Sequence, residues 1–388
     1  MKYIHRTLNK KIITYLKNIP VVALLGSRQS GKSTLAKEIV KEFKKSVYLD
    51  LEKPADLKKL KDVELFFNIY KDHLVCLDEI QLLPEIFPVL RSIVDQNNKN
   101  GQLLILGSAS SELINKSSES LAGRIYYLEL TPFSLEEISR TKADKTFQLL
   151  DKGGYPRSYL SKDLNLSYIW RENFIRSYLE KDLPMLGFNL SPKKLERFWK
   201  MLAHTHGQLF NSSKLGESLG VTYHTIRNYL DIMEQTFIVR VLYPFEANVK
   251  KRLVKSPKIY IRDSGILHTL LNIHSVDELL AHPIFGSSWE GFVIENIINT
   301  FPDWEYYFYR SSNGAEIDLI MRKGQQTIAV ECKASTAPNL TKGFWNALDD
   351  MEINNAWVIS PVKDMYPIEK RVKVSSLLNF ISYMKAAK

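Results

Sequence analysis

The chain has 388 residues, a formal net charge of +10, and 45% hydrophobic against 25% charged residues, enough for two or three domains that each bury a core. Its two cysteines, Cys76 and Cys332, both fall in apolar strand-like runs, which suits a reducing compartment and gives no sign of a disulfide frame or metal cluster. No apolar run approaches the roughly 20 residues that cross a bilayer, and no early stretch has signal-peptide order, so a cytoplasmic protein without a membrane partner is expected.

In chain order, Val21 to Leu25 reads as a buried parallel strand. The run Gly26, Ser27, Arg28, Gln29, Ser30, Gly31, Lys32, Ser33 and Thr34 follows, fitting the pattern G-x-x-x-x-G-K-[ST], and a helical spacing then runs from Lys32 to Phe43. Strand, glycine turn and helix in this order form a phosphate cradle: backbone N–H groups and the helix start meet the β-phosphate. Lys32 is expected to reach the β- and γ-phosphates, and Ser33 to hold Mg²⁺. After a strand at 46–50, the run Leu74 to Leu77 ends in Asp78 and Glu79, at the carboxyl end of a second strand, where open α/β sheets bind ligands. Asp78 fits the carboxylate of the Mg²⁺ shell and Glu79 the base for the attacking water. A strand at 103–106 ends in Gly107 and Ser108; Ser108 either senses the γ-phosphate or water, or caps the next helix. Arg124 precedes the strand 125–130 and is expected either to neutralise phosphoryl charge, in its own subunit or a neighbour's, or to form an ordinary salt bridge.

These elements alternate strand and helix, which predicts a parallel sheet covered by helices. The runs GSRQSGKST, LVCLDEIQ, LILGSAS, SLAGRI, LTPFSLEEI and GGYPRSYL resemble those of AAA-type P-loop ATPases, in a bacterial and archaeal subgroup with an uncharacterised C-terminal region. The resemblance extends over nearly the whole chain and implies ATP as the nucleotide.

Charge is uneven along the chain. Between Leu190 and Arg262 there are thirteen Lys or Arg against five Asp or Glu. Within that window Asn211 to Ser213 can cap a helix reaching Leu219, Gly220 makes a turn, Thr222 caps again, and His224 to Gln235 reads as a second amphipathic helix. A strand-like run from Thr236 to Tyr243 follows. The module resembles a winged helix-turn-helix, with Tyr223, His224, Arg227 and Asn228 facing a DNA duplex and Lys214, Lys250, Lys251 and Arg252 as phosphate contacts. A packing module with a solvated basic face is the competing reading.

In the last third, Gly314 to Met321 reads as a strand, Arg322 to Gly324 as a turn, and Gln326 to Lys333 as the hairpin partner. Glu331 and Lys333 then share one face. A helix from Ser288 to Ile298 offers Glu290 or Glu295 to the same cluster. This layout resembles the PD-(D/E)xK nuclease fold, although no proline precedes Asp318. The resemblance implies Asp318 and Glu331 as metal ligands, Glu290 as an outer ligand and Lys333 as the cation beside the attacking water. The alternative is an inactive nuclease fold in which these groups form a salt-bridge network.

Three segments are thus expected: a P-loop ATPase parallel sheet covered by helices at 1–140, a helical and winged-helix middle at 141–262, and a restriction-endonuclease-like α/β domain at 263–388. The expected activity is Mg²⁺-dependent ATP hydrolysis coupled to binding or processing of double-stranded or branched DNA, with homo-oligomers open. The alternative is a nucleotide-controlled switch that binds protein partners.

Overall fold

The computed structural model describes residues 3–108, 117, 119–139, 144–188, 190–245 and 253–387. The chain forms two compact units. One comprises Met1–Phe133, Lys181–Asn189 and Gln235–Phe237; the other comprises Ser134–Glu180, Leu190–Glu234 and Ile238–Lys388.

The first unit is built on five parallel strands: β1 (Val21–Leu25), β2 (Ser46–Asp50), β3 (Leu74–Asp78), β4 (Leu103–Gly107) and β5 (Ile125–Glu129). Their order across the sheet is β2-β3-β4-β1-β5. Every residue of β1, β3 and β4 is buried, as expected of central parallel strands covered on both faces. Successive side chains separate into two cores. Val21, Leu25, Val75, Leu77, Leu103 and Ile105 join one, while Val22, Leu24, Leu74, Cys76, Leu104 and Leu106 join the other. The helix Lys32–Lys41 seals the second core with Leu35, Ala36 and Ile39.

In the second unit a two-stranded ribbon pairs β6 (Val239–Leu242) antiparallel with β7 (Lys258–Ile261). A six-stranded mixed sheet contains β8 (Glu305–Arg310), β9 (Glu316–Lys323), β10 (Gln326–Cys332), β11 (Ala356–Ile359), β12 (Tyr366–Glu369) and β13 (Val372–Ser375), in the order β12-β13-β11-β10-β9-β8. The hairpin of β9 and β10 pairs Lys323 with Gln326, and the buried helix Phe285–Thr300 accompanies the sheet.

The helix-turn-helix carries the caps expected of it. Asn211 Oδ1 accepts from Lys214 N at 3.0 Å, Gly220 adopts φ +67°, and Thr222 Oγ1 accepts from Thr225 N at 3.2 Å. The helices run Ser212–Leu219 and Tyr223–Gln235. The strand that follows is shorter than the expected 236–243 run, because Phe237 turns at φ +61° and its ring joins the core of the first unit.

Among the described residues, no helix is long and apolar enough to cross a membrane.

Candidate functional site

The order of the first sheet brings the chemistry together. β4 lies between β1 and β3, with Leu25 beside Gly107 and Leu77 beside Ile105. Gly26, Asp78 and Ser108 therefore leave three adjacent strands at one edge. Gly26 must be glycine: at φ +155° a Cβ would lie 2.3 Å from the Leu130 carbonyl oxygen. Gly31 opens the helix Lys32–Lys41 at φ +100°, so the loop reaches the helix start through a conformation side chains resist.

Lys32 is 5% exposed, and its Nζ donates to Gly26 O at 2.9 Å and Ser27 O at 3.0 Å. Burial pulls its ammonium below the ordinary lysine value, opposed by Glu79 and Asp78. Among the described residues, the hydroxyls of Ser27, Ser30 and Ser108 are buried with no hydrogen-bond partner. Native proteins rarely leave such groups unpaired, and several at one sheet edge mark a place where polar ligand atoms belong. These donors and the loop backbone fit a phosphate chain with its divalent cation.

Asp78 is 2% exposed. Its Oδ2 accepts from the Tyr48 hydroxyl, and its Oδ1 accepts from Glu79 N at 3.0 Å. Glu79 adopts a left-handed backbone at φ 58° and ψ 45°, a strained choice for a non-glycine residue that recurs at functional sites. Burial raises its carboxyl above the ordinary range, partly offset by Lys32 and by a hydrogen bond from Gln81. Arg28, at the loop tip, donates to Asp182 Oδ1 and, at 3.1 Å, to Glu52 Oε1.

Arg124 takes the salt-bridge role of those expected for it and not a place at the nucleotide of its own subunit. It immediately precedes β5, whose Ile125 pairs in parallel register with Val21, and Arg124 O accepts from Val21 N at 3.1 Å. Arg124 therefore lies at the amino end of the sheet, a full strand length from Gly26, and does not approach the phosphate loop of its own subunit. Its guanidinium pairs with Asp95 through both carboxylate oxygens and lines a surface cavity of about 390 Å³ with Pro20 and Asn98.

In the second unit the carboxylates gather around a cation absent from the sequence-based reading. Lys258 Nζ lies 3.0 Å from Glu290 Oε1, 2.9 Å from Glu316 Oε1 and 3.6 Å from Asp318 Oδ1. Lys258 is 3% exposed. Burial alone would lower its ammonium, but Glu290, Asp318 and Glu316 outweigh that and hold the proton firmly. Tyr260, two residues on and so on the same strand face, donates to Glu290 Oε1 at 2.5 Å. Asp318 Oδ2 accepts from Cys332 N at 2.9 Å, and Lys333 Nζ donates to Glu331 Oε1 at 2.7 Å. Burial raises the Glu290 and Glu331 carboxyls, reinforced by Asp318.

Glu290 thus joins Asp318, Glu331 and Lys333, while Glu295 does not. Five residues along a helix turn the side chain by about 140°, and Glu295 instead takes Arg240 Nε and Arg262 Nε at 2.6 Å each. Burial would raise its carboxyl, but the two guanidinium groups hold it at about 2. The expected metal set does not fit this geometry. Lys258 engages Glu290 Oε1 and lies 3.6 Å from Asp318 Oδ1, and although Glu331 Oε2 is buried without a partner among the described residues, no three of their His, Cys, Asp or Glu side chains are disposed to hold a metal. The alternation of Lys258 and Tyr260 in an apolar strand was the one sequence signal for this arrangement.

Tyr223, His224, Arg227, Asn228 and Lys214 are all exposed. The Tyr223 and His224 rings lie 3.9 Å apart, and the Arg227 guanidinium sits 5.7 Å from the Tyr223 ring centroid. Lys250, Lys251 and Arg252 lie outside the described residues.

The parallel sheet, the glycine-bounded loop and the strand-end carboxylates define an AAA-type P-loop ATPase. Residues 18–139 match the model of an AAA domain; residues 143–277 and 285–380 match two domains of unknown function, DUF8612 and DUF4143. The uncharacterized protein Rv2008c of Mycobacterium tuberculosis is 37% identical over 357 residues, covering 92% of this chain and 80% of the relative, and the uncharacterized protein Mb2031c of Mycobacterium bovis matches to the same extent. The chain belongs to the same family as these mycobacterial proteins. Among solved structures, the Walker-type ATPase PABY2304 of Pyrococcus abyssi is similar over 69% of this chain and 96% of that chain, at 17% identity and a TM-score of 0.48.

Proposed function

We propose that the first unit binds ATP with Mg²⁺ at Gly26 to Thr34 and hydrolyses it with Glu79 as base, and that turnover governs nucleic-acid binding by the second unit. The orphaned hydroxyls of Ser27, Ser30 and Ser108 around the buried Lys32 carry this reading. Ser33 and Asp78 would hold the Mg²⁺ that accompanies ATP, which supplies charge neutralisation at the phosphate oxygens. Lys32 binds the β- and γ-phosphates. Glu79 takes a proton from water as its oxygen attacks the γ-phosphorus; the bond to the bridging oxygen breaks, and ADP leaves with the electron pair. The raised carboxyl of Glu79 brings the base closer to neutrality, where proton transfer is most effective.

In the three-segment organisation at 1–140, 141–262 and 263–388, the winged helix reads DNA through Tyr223, His224, Arg227 and Asn228. Lys214 contacts phosphate, as do Lys250, Lys251 and Arg252. Binding of duplex or branched DNA by the full chain tests this: log affinity falls with log salt at about −0.9 per phosphate contact, and a flat response overturns it. ATP turnover measured with and without the same DNA tests the coupling.

The second reading, a nucleotide-controlled switch that docks protein partners through an inactive nuclease fold, is favoured by Lys258 amid Glu290, Glu316 and Asp318. On that reading no Mg²⁺-dependent cleavage accompanies turnover and Asp318→Ala changes none; cleavage lost in Asp318→Ala restores the nuclease assignment.

A further inference from the structure

We propose that Arg28 and Asp182 form a latch on the phosphate loop that opens when the γ-phosphate of ATP takes the Arg28 guanidinium, so that Asp182 couples nucleotide identity to the segment at 181–188. The inference rests on ATP binding at Gly26 to Thr34.

Arg28 lies at the tip of the loop, between Ser27 and the left-handed Gln29 at φ 61°. Its Nη1 donates to Asp182 Oδ1, a residue 154 positions later in the chain. Asp182 is 5% exposed, and its Oδ2 is buried without a hydrogen-bond partner among the described residues. A buried carboxylate with one oxygen unanswered is held chiefly by that guanidinium, and losing a partner from a buried pair is costly. The same carboxylate shares its field with the catalytic groups: burial raises the Asp182 carboxyl, Arg28 opposes this and Glu79 adds to it, while Asp182 is one of the acids that offset the lowering of Lys32 by burial.

A triphosphate on Lys32 adds several negative charges to this field. It repels Asp182 and offers Arg28 oxygens arranged for two parallel N–H donors. ATP and Asp182 therefore compete for one guanidinium, whereas ADP lacks the phosphate that competes. Asp182 ends a π-helical turn, Tyr178–Asp182, and the chain enters the first unit at Lys181. Such single wide turns are frequent at functional sites, and releasing Asp182 frees this one to change.

The test is equilibrium binding of fluorescent N-methylanthraniloyl ATP and ADP to the full chain, with Asp182→Asn and Arg28→Gln as variants and Lys32→Ala as control. The latch predicts opposite signs. Asp182→Asn strengthens ATP binding about tenfold and ADP binding less than twofold, while Arg28→Gln weakens ATP about tenfold more than ADP, each a difference of about 1.4 kcal/mol. A purely structural ion pair would move both variants in the same direction and both nucleotides together, and that result overturns the latch. If Asp182→Asn melts far below the wild type, Arg28→Gln decides alone, an unchanged ATP-to-ADP ratio counting against the latch. If Lys32→Ala loses ATP and neither variant changes selectivity, only the latch fails. If Lys32→Ala binds ATP like the wild type, the ATP reading fails and the latch with it.

Discussion

The phosphate-loop edge of the first unit and the carboxylate cluster of the second both bury lysines among acids, yet they resolve their charges differently. Lys32 is held by backbone carbonyls, and the serine hydroxyls beside it are unanswered. Lys258 is held by Glu290 and Glu316, with Asp318 nearby. The first region leaves neutral hydroxyls unanswered beside its lysine, whereas the second commits Lys258 to carboxylates and, among the described residues, leaves Glu331 Oε2 without a hydrogen-bond partner.

The largest expected effect falls on the first region. Lys32→Ala removes charge-assisted bonds to two phosphates, each worth about 1.5–3 kcal/mol, and is expected to weaken Mg-ATP binding by about 10²- to 10⁴-fold. Calorimetric titration measures this, and retained affinity would erase the distinction between the regions.

Next is Glu295→Gln, which strips Arg240 and Arg262 of their shared carboxylate and is expected to cost about 3 kcal/mol at pH 7, read by denaturant unfolding. Because the folded carboxyl is held at about 2, below its ordinary 4.5, its contribution is present above pH 4.5 and is lost as the pH falls toward 2. The gap between wild type and variant should close across that window.

The smallest effect has the opposite sign. The Glu331 carboxyl is raised by burial and by Asp318, so the folded state favours its protonated form and loses stability as pH rises above the ordinary carboxyl range. Glu331→Gln is expected to raise the melting temperature at pH 8, by the equivalent of about 1 kcal/mol, with the gain fading toward pH 5. A lower melting temperature at pH 8 would mean that the charged form is wanted, as a metal ligand would be.

Much of the first region was legible in the sequence because apolar five-residue runs ending in Gly26, Asp78 and Gly107 leave little choice of element or direction. Of the roles open to Arg124, the salt bridge is the one formed, because a residue preceding a parallel strand lies opposite a loop that follows one. Glu79's left-handed backbone leaves no mark in composition. Asp182 carries no motif, and its approach to Arg28 is set by tertiary packing alone. In the second region the β9 and β10 hairpin was readable from its alternation. The part played by Lys258 was not, because a lysine in a strand reads as a solvated edge until its three acidic neighbours are known.

The most direct measurement compares Mg²⁺-dependent ATP turnover by wild type, Glu79→Gln and Asp318→Asn. Turnover reduced at least hundredfold in Glu79→Gln with nucleotide binding kept, and unchanged in Asp318→Asn, is the predicted result. Equal rates in wild type and Glu79→Gln would contradict it, as would a loss in Asp318→Asn to match that in Glu79→Gln.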